Sequence, residues 1–126
     1  GVNIGLFCST PMVALSRNVA RKKAMRMLLT GEPVSAKHAK DIGLINDHFS
    51  NDNLEEEVVK LAENISSKSK KIVKIGKKAF YKQLEMPLDK AYKYTSQVMS
   101  ENMMALDAKE GISAFIEKRK PNWKDK

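Results

Sequence analysis

The chain lacks several of the features that most readily assign a function to a sequence. It has a single cysteine, Cys8, which excludes an intramolecular disulfide and fits either a reducing compartment or a fold that needs no disulfide. No run of about 18 apolar residues occurs, so no membrane-spanning helix is predicted, and no signal peptide is visible. There is no glycine-rich phosphate loop, and His38 and His48 are far apart in sequence, with no Cys, Asp or Glu at a spacing that makes a convincing metal site. The sequence therefore predicts no metal centre.

Aromatic residues are also scarce, at 6% of the chain, whereas there are 7 methionines and a formal net charge of +8. Methionine fills irregular gaps between helices, and a basic balance favours anionic partners such as a phosphorylated ligand, nucleic acid or an acidic membrane surface. A run of lysines between residues 68 and 78 has no interleaved aromatics and matches no nucleic-acid motif. We therefore interpret it as a solvated helix face and expect no nucleic-acid partner.

The stretch from Ala24 to Ile45, AMRMLLTGEPVSAKHAKDIGLI, predicts a helix, a tight turn and a second helix. Gly31 suits the C′ position of the first helix because it can take a positive φ. Pro33 prevents immediate continuation, since the residue before a proline is pushed out of the α region. Ser35 is the predicted N-cap of the second helix, and Gly43 its predicted end.

Capping residues and apolar spacing predict further helices in the second half of the chain. Asn53 with Glu56, and Asp107 with Glu110, have the spacing of capping boxes. Ser69 is the predicted start of another helix. In the last helix the spacing of the apolar residues predicts a buried stripe. Its members are Ile112, Phe115 and Ile116.

Two motifs, in this order, resemble the enoyl-CoA hydratase/isomerase, or crotonase, superfamily. The first runs from Met27 to Ile45 and contains Met-Leu-x-Thr-Gly, Val-Ser-Ala and Gly-Leu-Ile. The second runs from Glu110 to Pro121 and reads EGISAFIEKRKP. The resemblance covers the whole chain and begins in the middle of the family's domain.

The resemblance implies a mostly α chain that is the C-terminal fragment of a crotonase-like (ClpP/crotonase) α/β fold. Residues 1–52 would form the C-terminal part of the core, its helical edge, and residues 53–126 the helical trimerisation domain. Only two segments, residues 1–11 and residues 45–49, are strand candidates.

For function, the resemblance implies binding of acyl-CoA thioesters in fatty-acid metabolism, with the coenzyme A thioester as ligand or substrate and no further cofactor. The family's C-terminal phenylalanine and lysine reach the site of a neighbouring subunit. Phe115 would border the acyl/pantetheine pocket and Lys118 would meet a coenzyme A phosphate. The resemblance also implies a homo-oligomer, a trimer or hexamer, in an intracellular location: mitochondrial in a eukaryote, cytoplasmic otherwise.

The residue expected at the catalytic position is a glycine. Family hydratases use two glutamates as general acid and base on one water. The first lies upstream of Gly1, and aligning the family pattern Pro-Glu-x-x-x-Gly on Gly5 places Gly1 at the second. Glycine has no proton to transfer, so no catalytic residue is assigned and hydratase activity is doubtful. Two alternatives stay open: an active enoyl-CoA hydratase or isomerase that uses another acid, and a basic helical interaction module without enzyme activity.

Overall fold

A computed structural model of the chain describes residues 1–125, and regular structure within them is helical. A short 3-10 helix, Val2–Ile4, precedes the α-helices. These are α1 (Pro11–Asn18), α2 (Arg21–Thr30), α3 (Ala36–Asp41), α4 (Asn51–Ser66), α5 (Lys70–Leu84), α6 (Leu88–Met103) and α7 (Leu106–Ile116). The prediction of a mostly α chain is confirmed. Over the same residues no helix has both the length and the apolar character needed to cross a bilayer.

Neither strand candidate forms a strand within residues 1–125. Near the start of the chain, the 3-10 helix ends at Gly5, which takes a positive φ of 78°. At the start of the second segment, the amides of Ile45 and of the preceding Leu44 donate to the Ala39 carbonyl, at 3.4 and 2.9 Å. These amides close the end of α3, so they are not available to a sheet ladder.

The chain divides into two compact units, Gly1–Glu57 and Val58–Lys126. The predicted division into residues 1–52 and 53–126 stays a prediction about family domains. In the first unit α1 packs on α2, and the 3-10 helix also packs on α2.

The local signals predicted for the first unit are confirmed, with one small shift. Gly31 follows α2 with a φ of 60°, and its amide donates to the Met27 carbonyl at 3.1 Å. The Ser35 hydroxyl accepts from the His38 amide at 3.2 Å and so caps α3. This helix ends slightly before Gly43, which takes a φ of 78° in the turn that follows.

In the second unit α5 packs on α6, and α6 packs on α7. Ser69 caps α5 as predicted, because its hydroxyl accepts from the Ile72 amide at 3.3 Å. Small side chains let the helices approach closely, and large apolar side chains are largely exposed. The buried alanines of this unit are Ala79, Ala91, Ala105 and Ala114.

Both predicted capping boxes are wrong, because each helix begins before the residue chosen as its cap. Helix α4 begins at Asn51, which places Asn53 inside its first turn. Helix α7 begins at Leu106 after the N-cap residue Ala105, which places Asp107 inside the helix. Asp107 is instead fully buried and accepts hydrogen bonds from outside α7.

The buried stripe predicted for α7 is also wrong. The exposed fraction is 47% for Ile112, 85% for Phe115 and 72% for Ile116. The buried residues of this helix are Asp107 and Ala114. Because an α-helix turns by about 100° per residue, Asp107 and Ala114, which are seven residues apart, lie on the same face of α7. The three apolar residues point away from that face. The inward face of α7 is therefore defined by a carboxylate and small residues.

Candidate functional site

The end of α7 is a Schellman turn with a lysine at the position that glycine usually occupies. The Lys118 amide donates to the Phe115 carbonyl at 3.3 Å, and the Arg119 amide donates to the Ala114 carbonyl at 3.0 Å. This pair of bonds defines the motif and requires a left-handed residue at C′. Lys118 is that residue, with a φ of 53°. A left-handed conformation costs a non-glycine residue about 1–2 kcal/mol, so the turn retains lysine at an energetic cost.

The guanidinium of Arg119 joins two carboxylates beside this turn. Its Nη1 and Nη2 donate to the two oxygens of Glu110 at 2.6 and 3.0 Å. Its Nε donates to Glu117 at 2.6 Å. The Asn122 amide adds a further bond to Glu110 at 2.7 Å. Arg119, and then this amide, lower the pKa of Glu110 to about 2, and the two carboxylates raise the pKa of Arg119.

A second carboxylate, that of Asp107, anchors the tail that follows the turn. Asp107 is only 1% exposed. The Ser69 hydroxyl donates to it, and the amides of Lys124 and Asp125 donate to it at 2.7 and 2.9 Å. The Ser69 hydroxyl is the largest cause that lowers the pKa of Asp107, and the two amides lower it further against the opposing effect of burial. A carboxylate held in its charged form by three donors is suited to structure rather than to proton donation.

The tail also reaches the beginning of α5. The carboxylate of Asp125 accepts from the amides of Lys70 and Lys71 at 2.7 and 3.4 Å, so it stabilises the positive end of that helix. The Trp123 indole nitrogen donates to the Ser67 carbonyl at 2.8 Å.

The Trp123 ring lies against Gly111 of α7, where an added Cβ would come within 3.3 Å of the ring. Sequence reasoning missed these contacts. The one available signal was that Trp123 is the only tryptophan in the chain.

An apolar groove of about 480 Å³ lies in the second unit, a size that suits a small-molecule ligand. Phe115 and Trp123 are its aromatic lining residues. Its polar lining residues are Lys68, Ser69, Asn102 and Asp107. Its other apolar lining residues include Ile72, Val73, Met103 and Ile112. The groove and the basic turn are therefore adjacent features of one unit, since Phe115 belongs to both.

The structure brings Phe115 and Lys118 together at one helix end. Phe115 lies in the last turn of α7 and Lys118 directly follows it, and both side chains are exposed. The ammonium of Lys118 has no hydrogen bond or ion pair with the residues that the structure describes. Both predicted site residues are thus accessible to a ligand.

Gly1 lies in the first unit, beside Cys8. Its carbonyl accepts from the amides of Ile4 and Leu6 at 3.0 and 3.1 Å. A Cβ at this position would overlap Cys8 Sγ and lie 2.9 Å from the Leu6 carbonyl oxygen. The local packing is therefore adapted to glycine. Across residues 1–125, no three histidine, cysteine or acidic side chains are grouped as a metal site.

The sequence model of the family described as enoyl-CoA hydratase/isomerase matches residues 1–126. The chain belongs to the enoyl-CoA hydratase/isomerase family.

Relatives support this assignment in sequence. The chain is 51% identical over 123 residues to the human mitochondrial enoyl-CoA hydratase domain-containing protein 3. The aligned residues cover 98% of this chain and 41% of that protein. It is 39% identical over 111 residues to the mitochondrial enoyl-CoA hydratase of Pongo abelii, covering 88% of this chain and 38% of the relative. The chain spans about two fifths of the length of these curated relatives.

Solved structures support the same assignment in three dimensions. The enoyl-CoA hydratase of Mycobacterium smegmatis matches with a TM-score of 0.94 and 49% identity, over 98% of this chain and 48% of that one. The human enoyl coenzyme A hydratase domain-containing protein 3 matches with a TM-score of 0.92 and 51% identity, over 98% of this chain and 49% of that chain. The predicted crotonase-like fold is thereby confirmed, over about half the length of these structures.

Proposed function

We propose that the parent protein binds acyl-CoA thioesters in fatty-acid metabolism. The parent protein is the full-length protein that contains this chain. Lys118 contacts a coenzyme A phosphate and Phe115 borders the acyl/pantetheine pocket. The observation that carries the proposal is the uncommitted ammonium of Lys118 beside an exposed aromatic ring and an apolar groove. A cation next to an apolar surface matches a ligand with phosphate groups at one end and an acyl chain at the other.

Electrostatics support the same ligand class. The chain has a formal net charge of +8, and coenzyme A is strongly anionic. Such a field raises the local concentration of an anionic ligand and accelerates its encounter. Because Lys118 is exposed, its attraction to phosphate is screened by salt, so added salt weakens binding.

The proposal does not include efficient hydration of the enoyl group. Gly1 stands where the family resemblance expects a catalytic glutamate, and its surroundings leave no room for a Cβ. Asp107 and Glu110 are poor substitutes for a general acid because their pKa values are lowered. A general acid works best when its pKa is near the operating pH.

Self-association and location complete the proposal. Helix α4 exposes an apolar stripe, a type of patch that marks interaction surfaces. We expect this face to contribute to a homo-oligomer, a trimer or a dimer of trimers. The mitochondrial names of the eukaryotic relatives support a mitochondrial location in a eukaryote. The exposed stripe consists of Leu54, Val58, Leu61 and Ile65.

Calorimetric titration of coenzyme A into the parent protein tests the proposal. Lys118→Glu is expected to weaken binding and to leave the melting temperature nearly unchanged, because an exposed lysine at a helix end contributes at most about 1 kcal/mol. Lys109→Glu is the matched control, since Lys109 is an exposed lysine on the same helix. Unchanged affinity in Lys118→Glu would overturn the assignment of Lys118.

An active enoyl-CoA hydratase or isomerase is the second candidate function. The observation that favours it is family membership, together with a relative that is itself named an enoyl-CoA hydratase. A steady-state assay with crotonyl-CoA decides between the candidates, since a rate comparable to that of an authentic hydratase would require a different acid. A parent protein that binds neither coenzyme A nor acyl-CoA would instead favour a basic interaction module.

A further inference from the structure

We infer that Arg119 and Glu110 are positioning residues, forming a clamp that holds Lys118 in place for phosphate recognition. The inference rests on the proposed contact between Lys118 and coenzyme A. The term clamp means the guanidinium of Arg119 with the carboxylates of Glu110 and Glu117. The clamp does not touch the ligand and acts through Lys118.

The conformation of Lys118 needs external support. Its φ of 53° is unfavourable for a residue with a Cβ, and strained residues persist only where the surroundings over-determine them. The two backbone bonds of the Schellman turn also exist in turns with glycine, so they do not explain the lysine. Arg119 directly follows Lys118 and is tied to α7 through a bidentate pair with Glu110, which adds geometric specificity to the turn.

The clamp also keeps the Lys118 ammonium available. Glu117 directly precedes Lys118 and Glu110 lies on α7, and both carboxylates are engaged by Arg119. Without Arg119, Glu117 would be an unpaired carboxylate adjacent in sequence to Lys118 and could pair with it. Pairing of this kind would compete with a phosphate for the same ammonium. The clamp therefore fixes the backbone and occupies the competing acceptors.

The tail supports the clamp from the other side. The Asn122 amide donates to Glu110 at 2.7 Å, and the amides of Lys124 and Asp125 donate to the buried Asp107. The chain is thus anchored just after the turn as well as within it. A turn fixed on both sides loses less conformational entropy when its side chain binds a ligand.

A double-mutant cycle in the parent protein tests the inference. Arg119→Lys keeps the positive charge and loses the planar fork that makes the bidentate pair. It is combined with Lys118→Ala, and affinity is measured for coenzyme A and for pantetheine, which has no phosphate. We expect Arg119→Lys to weaken coenzyme A binding by about 2- to 20-fold, within the range of coupling between contacting residues. In the Lys118→Ala background the same change is expected to have no further effect.

The controls separate the possible failures. Pantetheine affinity is expected to stay the same in every variant, and Arg21→Lys, at an exposed arginine in the first unit, is expected to change nothing. If Lys118→Ala does not weaken coenzyme A binding, the proposed contact between Lys118 and coenzyme A fails. If Lys118→Ala weakens binding but Arg119→Lys has no effect, or an equal effect in both backgrounds, the clamp is overturned.

A second variant keeps the inference falsifiable if Arg119→Lys does not fold. Glu110→Gln removes the charge of the bidentate acceptor but keeps the shape of the side chain. Thermal melts of each sample establish that it is folded before titration. The Glu110→Gln cycle with Lys118→Ala is expected to show the same dependence on Lys118, and simple additivity would overturn the clamp in the same way.

Discussion

The two ends of the chain differ in how they use carboxylates. Residues 1–11 contain no acidic side chain, and the side-chain bond that ties this segment to another element runs from Asn3 Nδ2 to the Gly31 carbonyl at 3.3 Å. The last twenty residues contain a dense network built on acidic groups. Its acceptors are the carboxylates of Asp107, Glu110, Glu117 and Asp125.

The carboxylates of the C-terminal network support the structure, and their properties differ from those that a catalytic carboxylate needs. Asp107 and Glu110 are satisfied by several donors, which lowers their pKa values and keeps them charged. Proton transfer requires the opposite, a group that exchanges protons near the working pH. At the proposed catalytic position the chain has Gly1. The carboxylates of the C-terminal end therefore serve to hold the structure, whereas residues 1–11 contain no carboxylate side chain.

The largest expected effect concerns Gly1. The parent protein is expected to hydrate crotonyl-CoA at a rate lower than that of an authentic hydratase by about 10²–10⁴-fold, the usual contribution of a general acid or base. Gly1→Glu alone is expected not to restore activity, because a Cβ would overlap Cys8 Sγ and approach the Leu6 carbonyl. The measurement is steady-state turnover. Full activity in the wild-type protein would remove the contrast between the two ends.

The next prediction compares two aromatic residues at the C-terminal end. Trp123→Ala is expected to destabilise the protein by about 2–4 kcal/mol, because it removes a half-buried ring and its bond to Ser67. Phe115→Ala is expected to change stability by less than about 0.5 kcal/mol, because its side chain is exposed.

Phe115→Ala is instead expected to weaken acyl-CoA binding. Chemical denaturation and titration of the same samples measure both quantities. A larger loss of stability in Phe115→Ala than in Trp123→Ala would mean that Phe115 is mainly a core residue.

The third prediction concerns the stability of the protein at low pH. The pKa of Glu110 is lowered to about 2, chiefly by Arg119. A group with a lowered folded-state pKa contributes stability above its ordinary pKa and loses it as pH falls toward the folded-state value. Thermal melts from pH 6 to about pH 2 should therefore show a decline that is shallower in Glu110→Gln. Glu85→Gln, at an exposed residue after α5, is the control and should retain the wild-type decline.

The smallest expected effect is a gain in stability. Lys118→Gly is expected to stabilise the protein by up to about 1 kcal/mol, because glycine adopts the left-handed C′ conformation without steric cost. The same change is expected to weaken coenzyme A binding, since it removes the ammonium. Denaturant melts and calorimetry provide the two readouts. Lower stability together with unchanged affinity would contradict a functional reason for lysine at this turn.

Local features of the chain could be predicted because they act over a few residues. Gly31 ends α2 through its own positive φ, and Ser35 and Ser69 cap helices through an amide three residues further on. Such signals depend on backbone chemistry that is present in the sequence itself. The two family motifs were likewise readable as residues in order, and they identified Phe115 and Lys118 as candidates.

Tertiary structure alone decided the remaining features. Asp107 was predicted to be a helix cap, but it is a buried acceptor for Ser69, 38 residues away. Trp123 bonds to Ser67, 56 residues away. The inward face of α7 follows from what packs against it, so Phe115 is exposed although its spacing predicted burial. A local pattern records which side chains share a face of a helix, and only the folded chain determines which face meets a neighbour.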